Sequence, residues 1–89
     1  MTENQIKGKR LIEIMDNINS FYKIIDKPII SAFMSLKILN CYTWNLEKIE
    51  LRLKELNELA GKQDISNSQK GFEFIALFFL FKHKIYHKW

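Results

Sequence analysis

Apolar residues recur along the chain at spacings of three and four, and no stretch keeps the two-residue rhythm of a half-buried strand, so the pattern predicts helices throughout. Leu11, Ile14/Met15, Ile18, Phe21/Tyr22 and Ile25 place a first helix over about 6–25. Asp26-Lys27-Pro28 ends it, because the residue before a proline is driven out of the helical region, and Pro28 suits the first turn of a second helix over about 28–42. Leu46, Ile49, Leu53, Leu56 and Ala60 mark a third over about 45–60, with Thr43 or Asn45 as cap, Glu47 and Glu50 in its first turns and Gly61 as its stop. Residues 61–67 carry turn chemistry, and Ser66-Asn67-Ser68-Gln69 has the spacing of a capping box opening a fourth helix that runs to about Tyr86. Four helices with short connections predict an all-α fold, a small helical bundle that is up-and-down or irregular.

The faces of these helices differ. Helix three has a seam of Leu46, Ile49, Leu53 and Leu56, with Leu51 pointing the opposite way. Helix four offers one outer face, on which Gln69, Glu73 and Lys84 share a side with Leu77 and Leu80. Helix two has no clear polar side, since Ser31, Ser35, Lys37 and Asn40 scatter around it; it is either central or covered by something outside this chain. Leu51, Leu77 and Leu80 are accordingly expected to form an apolar face for a partner or a second copy.

Composition narrows the class. Eighty-nine residues make one domain, 47% apolar and 27% charged with one proline and three glycines, a balance that belongs to folded rather than disordered chains. The single cysteine, Cys41, closes no intramolecular disulfide, so a cytoplasmic setting is expected. The basic first residues run into Glu13 and Asp16, unlike a secretory signal, and the longest apolar run, 74–81, ends in Lys82-His83-Lys84 and is far shorter than a membrane span. No membrane insertion is expected.

The charge is uneven. The net +4 gathers at the two ends: Lys7, Lys9 and Arg10 against Glu3 give residues 1–10 a charge of +2, and Lys82, Lys84 and Lys88 give residues 82–89 +3, which leaves −1 for the rest. In an up-and-down bundle the start of helix one, the turn between helices two and three and the end of helix four share one end. Tyr42, Trp44, His83, Tyr86, His87 and Trp89 would then lie among the cations, and cations for phosphate with rings for unpaired bases are the requirements of single-stranded or RNA binding. Lysines at a helix C-terminus also simply complement its dipole.

Catalytic chemistry finds little support. His83 and His87 share a helical face but lack a third metal ligand, and Cys41 has no activating neighbour in sequence. Glu47, Glu50, Glu55 and Glu58 interleave with Lys48, Arg52 and Lys54, which predicts a solvated, salt-bridged face that includes a Glu50–Lys54 pair. Gly8, Gly61 and Gly71 are too scattered for a phosphate loop. Neither an enzyme nor a cofactor is expected.

In size, basic charge, Asn/Lys/Ile-rich composition and lack of catalytic residues, the chain resembles the small helical proteins that phages and mobile elements use against host defence, anti-CRISPR proteins among them. That resemblance implies a non-enzymatic inhibitor acting on an RNA-guided nuclease or its guide RNA, a nucleoprotein of the host cytoplasm. Two other readings stand beside it. Bacteriocin immunity proteins are similar in size and bundle fold, and in that reading residues 72–86 would recognise a membrane receptor complex. A homodimeric interaction module would use Leu51, Leu77 and Leu80.

Overall fold

The computed structural model describes Ile6 and residues 8–86, with the side chain of Tyr86 excepted; Lys7, His87, Lys88 and Trp89 lie outside the described residues. Four α-helices follow one another: α1 (Gly8–Ile24), α2 (Pro28–Leu39), α3 (Leu46–Ala60) and α4 (Gln69–Tyr86), with a short 3₁₀ turn at Cys41–Thr43. No strand occurs among the described residues. The all-α expectation holds in its irregular form.

Local chemistry sets the helix ends. Lys27 and Asn40 bracket α2 in the left-handed region, at φ 52° and 54°, so the helix stops at Leu39 and the chain turns sharply instead of continuing to Tyr42. Asn45 caps α3, its Oδ1 accepting the Lys48 N–H at 2.9 Å. Gly61 closes α3 with φ −76°, and its N–H reaches back to the Asn57 and Glu58 carbonyls, so it stops the helix without the left-handed turn that glycine usually supplies there.

The cap of α4 is Ser68, not Ser66: Ser68 Oγ accepts the Gly71 N–H at 3.3 Å. Ser66 is held further back, where its N–H and hydroxyl both donate to Asp64 Oδ1. These two donors keep the Asp64 carboxyl below its ordinary pKa. The loop then crosses α4 so closely that a Cβ on Gly71 would stand 2.1 Å from the Ile65 carbonyl oxygen, which only glycine permits.

Helix α4 is the centre of the molecule. Phe74, Ile75, Ala76 and Leu77 are each fully buried, and four consecutive positions face roughly 300° of a helix circumference, so neighbours surround it. It packs against α1, α2 and α3 alike, whereas α2 packs extensively against α4 and little else among the helices. Ile14, Ile18 and Phe21 of α1 and Ile49, Leu53 and Leu56 of α3 complete the core, with Phe21 edge-on to Phe74 at 5.6 Å between centroids.

Three readings of the faces are corrected by this arrangement. Leu77 is fully buried, Leu80 is half-buried against the core, and Glu73 is buried, so helix four has no such outer face; of the proposed apolar trio only Leu51 is exposed. Residues 72–81 are mostly core, which removes the apolar surface that an immunity-type receptor contact needed. Glu50 is not on a solvated face: it is buried, and its Oε2 accepts the Ile6 N–H at 2.6 Å, tying the start of the chain to the first turns of α3.

Buried polar groups are paired. Arg52 Nε donates to Glu73 Oε2 at 2.7 Å, and this bond raises the Arg52 pKa further. Asn57 bridges Glu13 and Asn17 of α1. No buried side-chain nitrogen or oxygen among the described residues lacks a partner.

Candidate interaction surface

Helix α2 is built with its bulk on the wrong side for a core helix. Its inner face carries Ala32 and Ser35, both buried, with Leu36 and Leu39 half-buried beside them. Small residues let its backbone lie close to α4, and Gln69 Nε2 at the start of α4 donates to Ser35 Oγ at 3.3 Å. The outward face carries Ile30, Phe33, Met34, Lys37 and Ile38, the i, i+3, i+4, i+7, i+8 spacing of one helical stripe, with Ile29 at its flank.

These side chains are exposed to a degree that apolar residues seldom reach together. Ile38 is 68% exposed, Phe33 62%, Met34 59% and Ile30 57%. With Ile29 they present on the order of 500 Å² of apolar side chain, taking areas of 150–250 Å² for large side chains; that is near the upper end of the largest patch on an ordinary monomer. Lys37 is the sole charged residue of α2. A shallow cleft of about 210 Å³ between Met34, Ile38 and Phe72 runs along the edge of the stripe.

The basic end is assembled in part. Ile6, Leu11 and Met15 on one side and Phe78, Phe81 and Lys82 on the other line a second cleft, of about 560 Å³, so the first turns of α1 lie beside the last turns of α4. Lys9 and Lys82 are exposed there, and Lys84 is half-buried. Arg10 is turned toward Glu58 at 3.5 Å, and the Lys82 ammonium lies 5.7 Å from the Phe78 ring centroid. His83 is exposed.

Trp44 does not join the basic end as a free stacking ring. It is half-buried against the core, with the Lys48 ammonium 4.3 Å from its ring centroid. Ser35 meets Gln69 and Ile38 shares a cleft with Phe72, so the end of α2 lies at the first turns of α4, about 15 Å of helix rise from Lys82. The turn between α2 and α3 thus packs beside the first half of α4 rather than its last turns, and exposed Tyr42 belongs with it. The side chain of Tyr86 and all of Lys7, His87, Lys88 and Trp89 fall outside the described residues, and with them half of the expected aromatic and histidine contribution.

Cys41 is fully buried, and burial first, then Glu73, pushes its thiol pKa up, so it stays protonated and behaves as a small apolar residue. Among the described residues no three His, Cys, Asp or Glu side chains converge to hold a metal, and no helix is long and apolar enough to cross a membrane.

The outer stripe of α2 is the exposed apolar face that the sequence pattern leaves open between a central and an externally covered helix. Its signal was present: Ala32 and Ser35 mark the face that approaches a neighbour closely, which leaves Ile30, Phe33, Met34 and Ile38 pointing away. No family model, curated protein or solved structure matches this chain.

Proposed function

We propose that the protein is a non-catalytic binding module that works by docking the outer face of α2 onto another protein surface. The observation that carries this is the exposure of Ile30, Phe33, Met34 and Ile38 on one stripe of a helix whose opposite, small-residue face is already packed on α4. An apolar stripe of this size, once its polar rim is included, approaches the ~800 Å² that one partner gives to a standard protein interface. Its large flexible and aromatic side chains are the kind that fill pockets on a partner.

A second reading is favoured by the cleft that puts Lys9 and Lys82 on the adjoining ends of α1 and α4. In that reading the basic end engages the phosphates of a nucleoprotein, and the chain acts as the anti-defence inhibitor that its size and composition resemble. Phosphate contact of this kind weakens steeply with salt.

One experiment separates the two. Material co-purifying with a tagged wild-type chain from its own cells, which also make the untagged chain, with and without nuclease, is compared with that of tagged Phe33→Glu/Ile38→Glu and Lys9→Ala/Lys82→Ala, each checked for native helicity by circular dichroism. The α2 variant is expected to lose its protein partner and the basic variant to keep it regardless of nuclease. Retention by the α2 variant together with loss in the basic variant overturns the first reading in favour of the second.

A further inference from the structure

We infer that the occupant of the α2 stripe is a second copy of this chain, paired about a two-fold axis with the two α2 helices antiparallel; this rests on the reading of α2 as the docking face. The stripe is symmetric along its own length. Its members Ile29, Ile30, Phe33, Met34, Lys37 and Ile38 fall at equal distances on either side of a centre between Phe33 and Met34. An antiparallel copy centred there sets Phe33 and Met34 of both chains around the axis, and it brings Ile29 of each to the same height as Ile38 of the other. This is the self-complementarity that an isologous interface requires.

Lys37 decides among the possible occupants. The stripe has one cation and no carboxylate, so it offers no charge pattern by which to select an unlike protein. A lipid surface holds a helix through several cations beside its apolar face, and α2 carries one. In the antiparallel pair Lys37 stands level with Ile30 of the other copy, where its four-carbon stem covers apolar surface and its ammonium leaves at the interface edge. The two lysines lie on opposite sides of the centre, so they do not meet.

Area is consistent with this. Two stripes of about 500 Å² each bring on the order of 1,000 Å² of apolar side chain together before any rim is counted, above the size of a chance contact and at the threshold of a specific interface.

The test is the mass of the purified chain by light scattering across a concentration series, beside Phe33→Glu and two variants that each add one cysteine to the buried Cys41, Met34→Cys and Ile38→Cys. The wild type is expected at twice 10.7 kDa and Phe33→Glu, with native helicity, at 10.7 kDa. Under mild oxidation Met34→Cys should form a covalent dimer, since the two positions 34 are nearly level across the axis. Ile38→Cys should not, because its two copies sit about 13 Å apart along the helices. The wild type, whose Cys41 is buried, is the control.

A 10.7 kDa wild type at every concentration overturns the pairing. So does a dimer that survives Phe33→Glu, or equal cross-linking at 34 and 38, which indicates parallel helices. Sedimentation of a monomeric wild type with anionic phospholipid vesicles, lost in Phe33→Glu, overturns it in favour of a lipid surface. If the chain is monomeric yet Phe33→Glu still loses its co-purifying protein, the docking face stands and only the second copy fails.

Discussion

Helices α2 and α4 are both apolar around most of their circumference, but one is wrapped on every side and the other is open along a whole stripe. The difference is one of neighbours. Helix α4 has α1, α2, α3 and the loop through Ile65 and Ser66 against it, while α2 has chiefly α4. Side-chain size follows that division: α4 sends Phe74, Ile75, Leu77 and Phe78 into the core, whereas α2 sends Ala32 and Ser35. Apolar character alone therefore does not locate burial. The small residues of an apolar helix identify its packed side, and its large residues, left over, identify what it offers to others.

The largest effect expected from this contrast is at Leu77 against Phe33. Leu77→Ala removes a fully buried side chain from a surrounded helix and should cost about 4 kcal/mol in urea unfolding. Phe33→Ala, at a position 62% exposed, should change stability by less than about 0.5 kcal/mol in dilute solution. Comparable losses at the two positions would mean that α2 is covered within the monomer and the contrast is false.

Next comes Gly71, where the loop closes over the first turn of α4. A Cβ there would stand 2.1 Å from the Ile65 oxygen and 2.9 Å from the Ser66 oxygen, both backbone atoms that cannot swing aside. Gly71→Ala should lower stability by about 3 kcal/mol, and amide exchange at 65–72 should accelerate before that of α3. A neutral substitution would show that the loop does not cover α4.

A smaller effect, dependent on pH, concerns the junction where the end of α2 meets the side of α4. Burial and Glu73 raise the Cys41 pKa, so the folded state resists the thiolate more than the unfolded state does. What Cys41 contributes is therefore complete below the ordinary thiol range and is lost as pH rises through it. Cys41→Ala should gain on the wild type as pH rises above 8.5 or so, the unperturbed thiol value, when the two are compared by thermal unfolding. A difference that stays constant with pH would mean that the thiol is open to water.

Much of the fold is legible in the sequence because helix periodicity and cap chemistry are local. Pro28 opens α2, Asn45 caps α3, and the four helices lie within a few residues of where spacing puts them. The errors come from properties that are not local. Ser66 and Ser68 both have the chemistry of a cap, and Asp64, by taking both donors of Ser66, leaves Ser68 to fill the role. Glu50 and Glu73 look solvated in sequence because their partners, the Ile6 N–H and Arg52, are 44 and 21 residues away. Spacing alone puts an apolar outer face at Leu77 and Leu80 because it does not say that three helices converge on α4. The oddity of α2 was visible, and the choice between central and covered from outside depended on that same convergence.

The smallest expected effect tests how α2 is aimed. Lys27 and Asn40 bracket it in left-handed backbone, a conformation that costs a side-chain-bearing residue about 1 kcal/mol but that asparagine tolerates better than lysine. Lys27→Gly relieves that strain and loses part of the gain to the greater freedom of glycine in the unfolded chain, so a net stabilisation of about 0.5 kcal/mol is expected. Asn40→Gly should gain less, because less strain is there to relieve. Both variants should keep the dimer mass, since neither residue belongs to the outer stripe. A larger gain at Asn40 than at Lys27 would show that the turn before Pro28 is not held in the left-handed region, and the direction in which α2 presents Phe33 and Met34 would then have to come from its packing on α4 alone.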